Sequence, residues 1–251
     1  MMVLGAGEIA AAAAFGLLGG SFVSAWSYRL PRGQSIAAGR SACPACGHEL
    51  GALDLVPLFS WLVNRGRCRH CKAPVSLRYP LIETVTAAAV VLAALAAAGP
   101  VEAVLLGLVV TLLVALAVVD IEFGLLPDML HLALLPPALA WRWLLDGTPW
   151  WGLAGAAGGL AFGLALHHGF RLVTGRDGLG LGDVKFLGVA GLLLLPWQWG
   201  IFPLLAGLFG IATGLAWRAL GRGAEFPFGP ALIAALALCL LWPEAVSWAR
   251  L

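Results

Sequence analysis

Gly178-Leu179-Gly180-Leu181-Gly182-Asp183-Val184-Lys185 sets three glycines at alternate positions and ends in an aspartate and a lysine, inside an otherwise apolar second half of the chain. An ionisable group placed among apolar runs is a functional candidate by default. Glycine lets the backbone bend and lets another chain approach it, because no Cβ stands in the way. The apolar run that follows, 184–195, is interrupted at Pro196. At about 1.5 Å per residue it spans roughly 18 Å, against a hydrocarbon core of about 30 Å. With Pro196, Trp197 and Trp199 marking the far interface, Asp183 lies below the near one. The competing reading is a tight loop between two helices with a capping aspartate, and a glycine-aspartate pattern alone does not separate the two.

Composition narrows the choice. Of 251 residues, 61% are hydrophobic and 11% charged, whereas ordinary soluble domains are about 25% charged. The chain therefore reads as an all-α polytopic membrane protein, with the lipid bilayer as its surroundings and no nucleic acid as a partner. Residues 1–14 carry no basic n-region and do not read as a cleaved signal peptide.

Working outward, an apolar run over 4–28 ends in Tyr-Arg-Leu-Pro-Arg, a first spanning helix with a basic stop. Residues 29–80 differ in character, holding four of the five cysteines and eight of the fifteen Lys and Arg residues. They read as a small soluble insertion. Further runs cover 81–98, 101–119, 129–145, 151–170, 184–195, 201–219 and 230–248, which predicts about eight transmembrane helices. The chain thus divides into a first helix (1–28), the four-cysteine insertion (29–80) and a seven-helix body (81–251). Gly155, Gly159 and Gly163 recur every fourth residue, a face that permits close helix packing.

With the insertion in the cytoplasm, thirteen of the fifteen basic residues fall on that side and only Arg142 and Arg250 on the other, as the positive-inside rule requires. Both termini are then outside, and Asp120 and Asp183 both emerge on the cytoplasmic face.

Cys43-Pro-Ala-Cys46 and Cys68-Arg-His-Cys71 supply four thiolates in two knuckles, the ligand set of a tetrahedral structural zinc with no open position for water. Two disulfides are the alternative, disfavoured in a reducing cytoplasm. His48 and His70 are superfluous as ligands and read as surface residues. Cys239 reads as a small packing residue.

Asp120-Ile-Glu-Phe-Gly-Leu-Leu-Pro-Asp128 closes one apolar run and opens the next. Asp128 follows Pro127 at a helix start, where capping and dipole complementation explain it. Asp120 ends an apolar run and has no such role. Two carboxylates on different helices at one depth supply an aspartic protease: one, ionised, takes a proton from water while the other, protonated, donates to the carbonyl oxygen. Two unrelated interfacial acids remain the alternative.

Several long strings resemble the bacterial type IV prepilin leader peptidases, GxGD-type intramembrane aspartic proteases. They are GGSFVSAWSYRLPRGQS (19–35), CPACGHEL (43–50), DLVPLFSWLVNRGRCRHCKAPVSLRYPLIE (54–83), VVDIEFGLLPD (118–128), GLGLGDVKFLG (178–188) and FPFGP (226–230). The resemblance covers nearly the whole chain. It implies an enzyme of the bacterial inner membrane that removes the basic leader of prepilins and pseudopilins. It further implies N-methylation of the new N-terminus with S-adenosylmethionine as donor. The family's catalytic pair matches Asp120 and Asp183. Residues of the methyl-donor site are not assigned by it.

A transporter would also use a glycine-broken helix and intramembrane acids, but it gives no reason for a four-cysteine knuckle. A metal-dependent intramembrane protease needs a HExxH-like pair, and the adjacent His167 and His168 lack that spacing.

Overall fold

The computed structural model describes residues 4–35, 40–175, 178–223 and 226–242. Among them the chain is helical, with only two isolated antiparallel bridges, both in the insertion. The long helices are α1 (Ala6–Arg29), α3 (Arg78–Ala96), α4 (Pro100–Phe123), α5 (Asp128–Asp146), α6 (Trp150–Thr174), α7 (Leu181–Leu193), α8 (Phe202–Ala219) and α9 (Gly229–Leu241), and the insertion adds the short α2 (Phe59–Val63). Four segments, Ala6–Arg32, Arg78–Ala96, Pro100–Phe123 and Phe202–Ala219, are long and apolar enough to cross a membrane, and Gly229–Leu241 is a shorter apolar helix. Arg176, Arg250 and residues 243–248 of the last apolar run lie outside the described residues.

The helix boundaries follow local chemistry. Prolines fall in the first turns of α4, α8 and α9, where a missing N–H costs nothing. Gly124, Gly147 and Gly175 close α4, α5 and α6 in the left-handed conformation. Helix α4 runs one turn past the apolar stretch, so Asp120 sits within its last turn and not beyond it.

Helix α4 is the hub, packed on α1, α3, α5 and α9, while α6 lies along α7. Small residues set these contacts. A Cβ on Gly16 or Gly20 of α1 would stand 2.5 Å and 2.6 Å from the Cα atoms of Ala87 and Glu83 in α3. The expected glycine face of α6 is present: a Cβ on Gly155 or Gly159 would collide with the carbonyls of Gly191 and Leu187 in α7. In α7, every residue of 184–193 except Lys185 is buried, so this helix, apolar all round, is an inner one. Helix α8 turns the other way, with Leu204, Leu208, Ile211 and Leu215 exposed as an outward stripe at helical spacing, as a lipid-facing helix requires.

Candidate active site

Asp120 and Asp183 come from the last turn of α4 and the first turn of α7. Leu126, in the chain between α4 and α5, lies against Gly182, the neighbour of Asp183, and against Gly229, the neighbour of Asp120 in space. A Cβ on Gly182 would stand 3.0 Å from the Leu126 Cβ, and one on Gly229 would stand 3.2 Å from Leu126 Cδ2 and 2.5 Å from Asp120 Oδ2. Asp120 is 5% exposed and its Oδ2 has no hydrogen-bond partner among the described residues. Its nearest donor is the Gly229 backbone N–H, which leaves a buried carboxylate short of partners, a costly arrangement. Asp183 is half-buried and within electrostatic reach of Asp120. The two acids thus face the same part of the fold, within electrostatic reach of each other.

The glycines of the loop act by close approach and not by conformation. Gly178, Gly180 and Gly182 are absent from the positive-φ residues. A Cβ on Gly178 would enter the Phe170 ring, and one on Gly180 would lie 3.2 Å from Asp183 Oδ2. His167 of α6 is buried, and its Nδ1 lies 2.7 Å from the Leu179 carbonyl. It ties the loop to the preceding helix, a role that sequence spacing did not indicate.

Asp128 belongs elsewhere. The α5 N-cap has no side-chain hydrogen bond, and Asp128, in the first turn, accepts from Lys185 Nζ at 2.6 Å. Its dipole role stands, but its specific partner is an ion pair that joins α5 to α7 two residues from Asp183. Glu122 takes a two-pronged bond from Arg78, at 2.5 Å and 2.9 Å.

Phe226 and Phe228 pack on glycines of α8: a Cβ on Gly214 would stand 3.1 Å from Phe226 Cε1, and one on Gly210 would stand 2.6 Å from Phe228 Cε2. That packing seats Gly229 over Asp120. Cys239 is fully buried in α9, as expected of a packing residue.

The insertion builds two matching knuckles. The Cys43 N–H donates to the His48 carbonyl and the Gly47 N–H to Cys43; likewise the Cys68 N–H donates to Ala73 and the Lys72 N–H to Cys68. Gly47 and Lys72 both take the left-handed conformation that turns each knuckle. All four cysteines are free thiols, and their Sγ atoms lie within 4.8 Å of one another, a set that could hold a metal ion. The N–H groups of Cys46 and Ala45 bring the Cys43 thiol down to about 7, while at Cys71 the Ala73 N–H pulls down but is outweighed by desolvation and the other three thiols, which push it up to about 11. His48 and His70 are exposed and stack with ring centroids 3.4 Å apart.

Residues 14–97 match the Bacterial Peptidase A24 N-terminal domain, and residues 107–215 match the Type IV leader peptidase family. The chain is 42% identical over 217 residues to a prepilin leader peptidase/N-methyltransferase of Aeromonas hydrophila, covering 83% of this chain and 73% of that one. The chain belongs to the type IV leader peptidase family. Relatives of the same name from Bacillus subtilis and Pseudomonas aeruginosa are 34% and 32% identical, covering 92% of this chain and 93% and 89% of theirs. No solved structure gives a significant match. The A24 N-terminal match contains all four knuckle cysteines, and the leader-peptidase match contains both Asp120 and Asp183.

Proposed function

We propose that this protein is a prepilin leader peptidase of the bacterial inner membrane that cleaves type IV prepilins and pseudopilins at the cytoplasmic face. Asp120 and Asp183 are its catalytic dyad. The observation that carries the reading is the buried Asp120 carboxylate, short of hydrogen-bond partners, with Gly229 as its close backbone neighbour and within electrostatic reach of Asp183. One carboxylate, ionised, takes a proton from the attacking water. The other, protonated, gives its proton to the scissile carbonyl oxygen. A basic leader joined to an apolar helix brings its cleavage point to this interface, and the basic bias of the same face sets the orientation. All eight long helices span the bilayer in this reading, with 1–28, 29–80 and 81–251 as first helix, insertion and catalytic body.

The four thiols of the insertion suit structural zinc. Zn–S bonds of about 2.3 Å in a tetrahedron imply S···S edges near 3.8 Å, and Cys43 Sγ lies 3.8 Å from Cys71 Sγ. The relatives' printed name includes an N-methyltransferase, and the same second activity is assigned here, with S-adenosylmethionine supplying the methyl group. Incubating purified enzyme with a prepilin and labelled S-adenosylmethionine, and following leader release and label separately, tests both activities. Intact prepilin after incubation would overturn the peptidase; a cut but unlabelled product would overturn the transferase alone.

A further inference from the structure

Helices α3, α4 and α9 enclose a groove of about 260 Å³ whose described lining residues are all apolar. All three helices bring the same end to the two acids. Helix α4 finishes there with Asp120 in its last turn, and α9 starts there with Gly229 against the Asp120 carboxylate. Helix α3 starts at that end too, because Arg78 in its first turn holds Glu122 in the last turn of α4.

The groove begins beside Asp120 and runs away from it. Its α4 wall passes from Ile121, the residue after Asp120, through Ala117 to Val110, which is about 16 Å of helix. Its α9 wall passes from Ile233, one turn past Gly229 and on the same face, through Ala237 to Leu241. Its α3 wall passes from Leu81 through Val85 to Ala89. Leu81, Val85 and Ile121 are exposed along its lip, so the groove is open to the surroundings of the helices.

Ala89, Ala117 and Ala237, one from each helix, are half-buried within it. Between helices in lipid the attraction comes from close packing, because leaving lipid brings no hydrophobic gain, and small residues are what let two backbones approach. A groove with an alanine in each wall is shaped to take a helix.

We propose that this groove seats the apolar helix of a prepilin, with the junction of leader and helix at Asp120 and Asp183. The proposal rests on the reading of the protein as a prepilin peptidase and names the surface that holds its substrate. Continuity selects this occupant. A helix that follows a bond held between the two acids leaves them in the direction the groove takes. Charge agrees, since walls without a polar or charged side chain among the described residues accept an apolar helix and reject a basic leader. This is helix-in-groove recognition, and it fixes a register. The first turn of the substrate helix faces Ile121 and Ile233, and the segment about three turns in faces Val110 and Leu241. A lipid acyl chain and a second copy of this chain are the competing occupants.

The test uses the full-length protein in membranes. A benzophenone side chain is placed at Val85 in an Asp183→Asn background and irradiated with prepilin present. It should crosslink to the apolar helix of the prepilin, whereas the same group at Leu208, on the outward stripe of α8, should not. Ala89→Phe and Ala237→Phe fill the groove from α3 and α9. Each should lose about tenfold in kcat/KM for prepilin through KM, with kcat within about twofold, as expected when binding shared by substrate and transition state is removed. A prepilin whose crosslinked residue is cut back to Ala should recover most of that loss. Thermal unfolding identifies any variant that fails to fold, and the Val85 crosslink stands without them. Crosslinks only to lipid or to a second copy of this chain, or an unchanged KM in folded variants, would overturn the groove while a wild type that cuts prepilin leaves the peptidase standing. A wild type that leaves prepilin intact would overturn both.

Discussion

Gly229 lies directly against the carboxylate of Asp120: a Cβ at that glycine would stand 2.5 Å from Oδ2. No side chain fits there without moving the acid or the start of α9. Gly229→Ala is therefore expected to lose about a hundredfold in leader cleavage, the loss typical of displacing a reacting group by about 1 Å. The measurement is prepilin cleavage in membranes normalised to enzyme level. Activity within twofold of wild type would show that this contact does not fix the geometry of the site.

Asp120→Ala, Asp183→Ala and the double replacement should look alike, because groups that act as one unit give non-additive losses. Asn at either position should fail too, since an amide cannot exchange the proton. Asp128→Asn should retain measurable cleavage, as its partner is the exposed Lys185 ammonium. An enzyme active with Asp120→Ala and dead with Asp128→Asn would move the first catalytic carboxylate to Asp128.

Metal analysis should find about one zinc per chain, as expected of a four-thiolate site. Thiols must lose their protons to bind it. Cys43, lowered to about 7, is mostly thiolate above that pH, whereas Cys71, raised to about 11, is still protonated there. Zinc uptake by chelator-stripped enzyme at pH 8 should release protons, and affinity should fall as pH drops through 7. A pH-independent affinity between 6 and 8 would contradict thiolate ligation. With methyl transfer and substrate handling assigned mainly to the insertion and proteolysis to the helices, replacing Cys43 and Cys46 with Ser should reduce methylation more than cleavage; equal loss of both in correctly inserted protein would contradict that division.

Arg78 of α3 joins three helices: its Nε and Nη2 donate to Glu122 of α4, its Nη1 to the Ser24 carbonyl and its Nη2 also to the Ser27 hydroxyl of α1. Hydrogen bonds to charged groups contribute about 1.5–3 kcal/mol each at most. Arg78→Ala should lower stability in detergent by about 2 kcal/mol, and Arg78→Ala with Glu122→Ala should cost little more than the single change. Additive losses would show that the two residues act separately.

The helical architecture was legible because apolar runs and their glycine and proline breaks are local signals. So was the cysteine set, whose two spacings describe two equal knuckles. The two aspartates stood out as acids in apolar surroundings. What escaped was pairing across distance. His167 was set aside for lacking ligand spacing, yet it holds the Leu179 carbonyl. Gly229 appeared only inside a resembling string, since its neighbour Asp120 is on another helix. The three loop glycines were expected to bend the backbone and to admit close approach; the second is what they do, but the groups they make room for, Phe170, Leu126 and the Asp183 carboxylate, could not be named from the sequence. Hydrophobic periodicity tells which face of a helix is apolar and says nothing of which helix meets it. The groove between α3, α4 and α9 was invisible for the same reason.

The seating of α7 against the glycine face of α6 bears on how the protein is made. Asp183 and Lys185 each resist entry into the bilayer, by about 2.5–3.5 kcal/mol at mid-depth and less near its surface, and the 13-residue α7 is short for a membrane span. As the chain leaves the ribosome, α6 emerges first with Gly155, Gly159 and Gly163 bare, and α7 follows directly behind it. In the proposed reading, in which every long helix spans the bilayer, the two insert as a hairpin, the exposed backbone of one helix accepting the other. In that reading a bulky side chain at Gly159, where a Cβ would already collide with the Leu187 carbonyl oxygen, acts during biogenesis and leaves α7 outside the membrane.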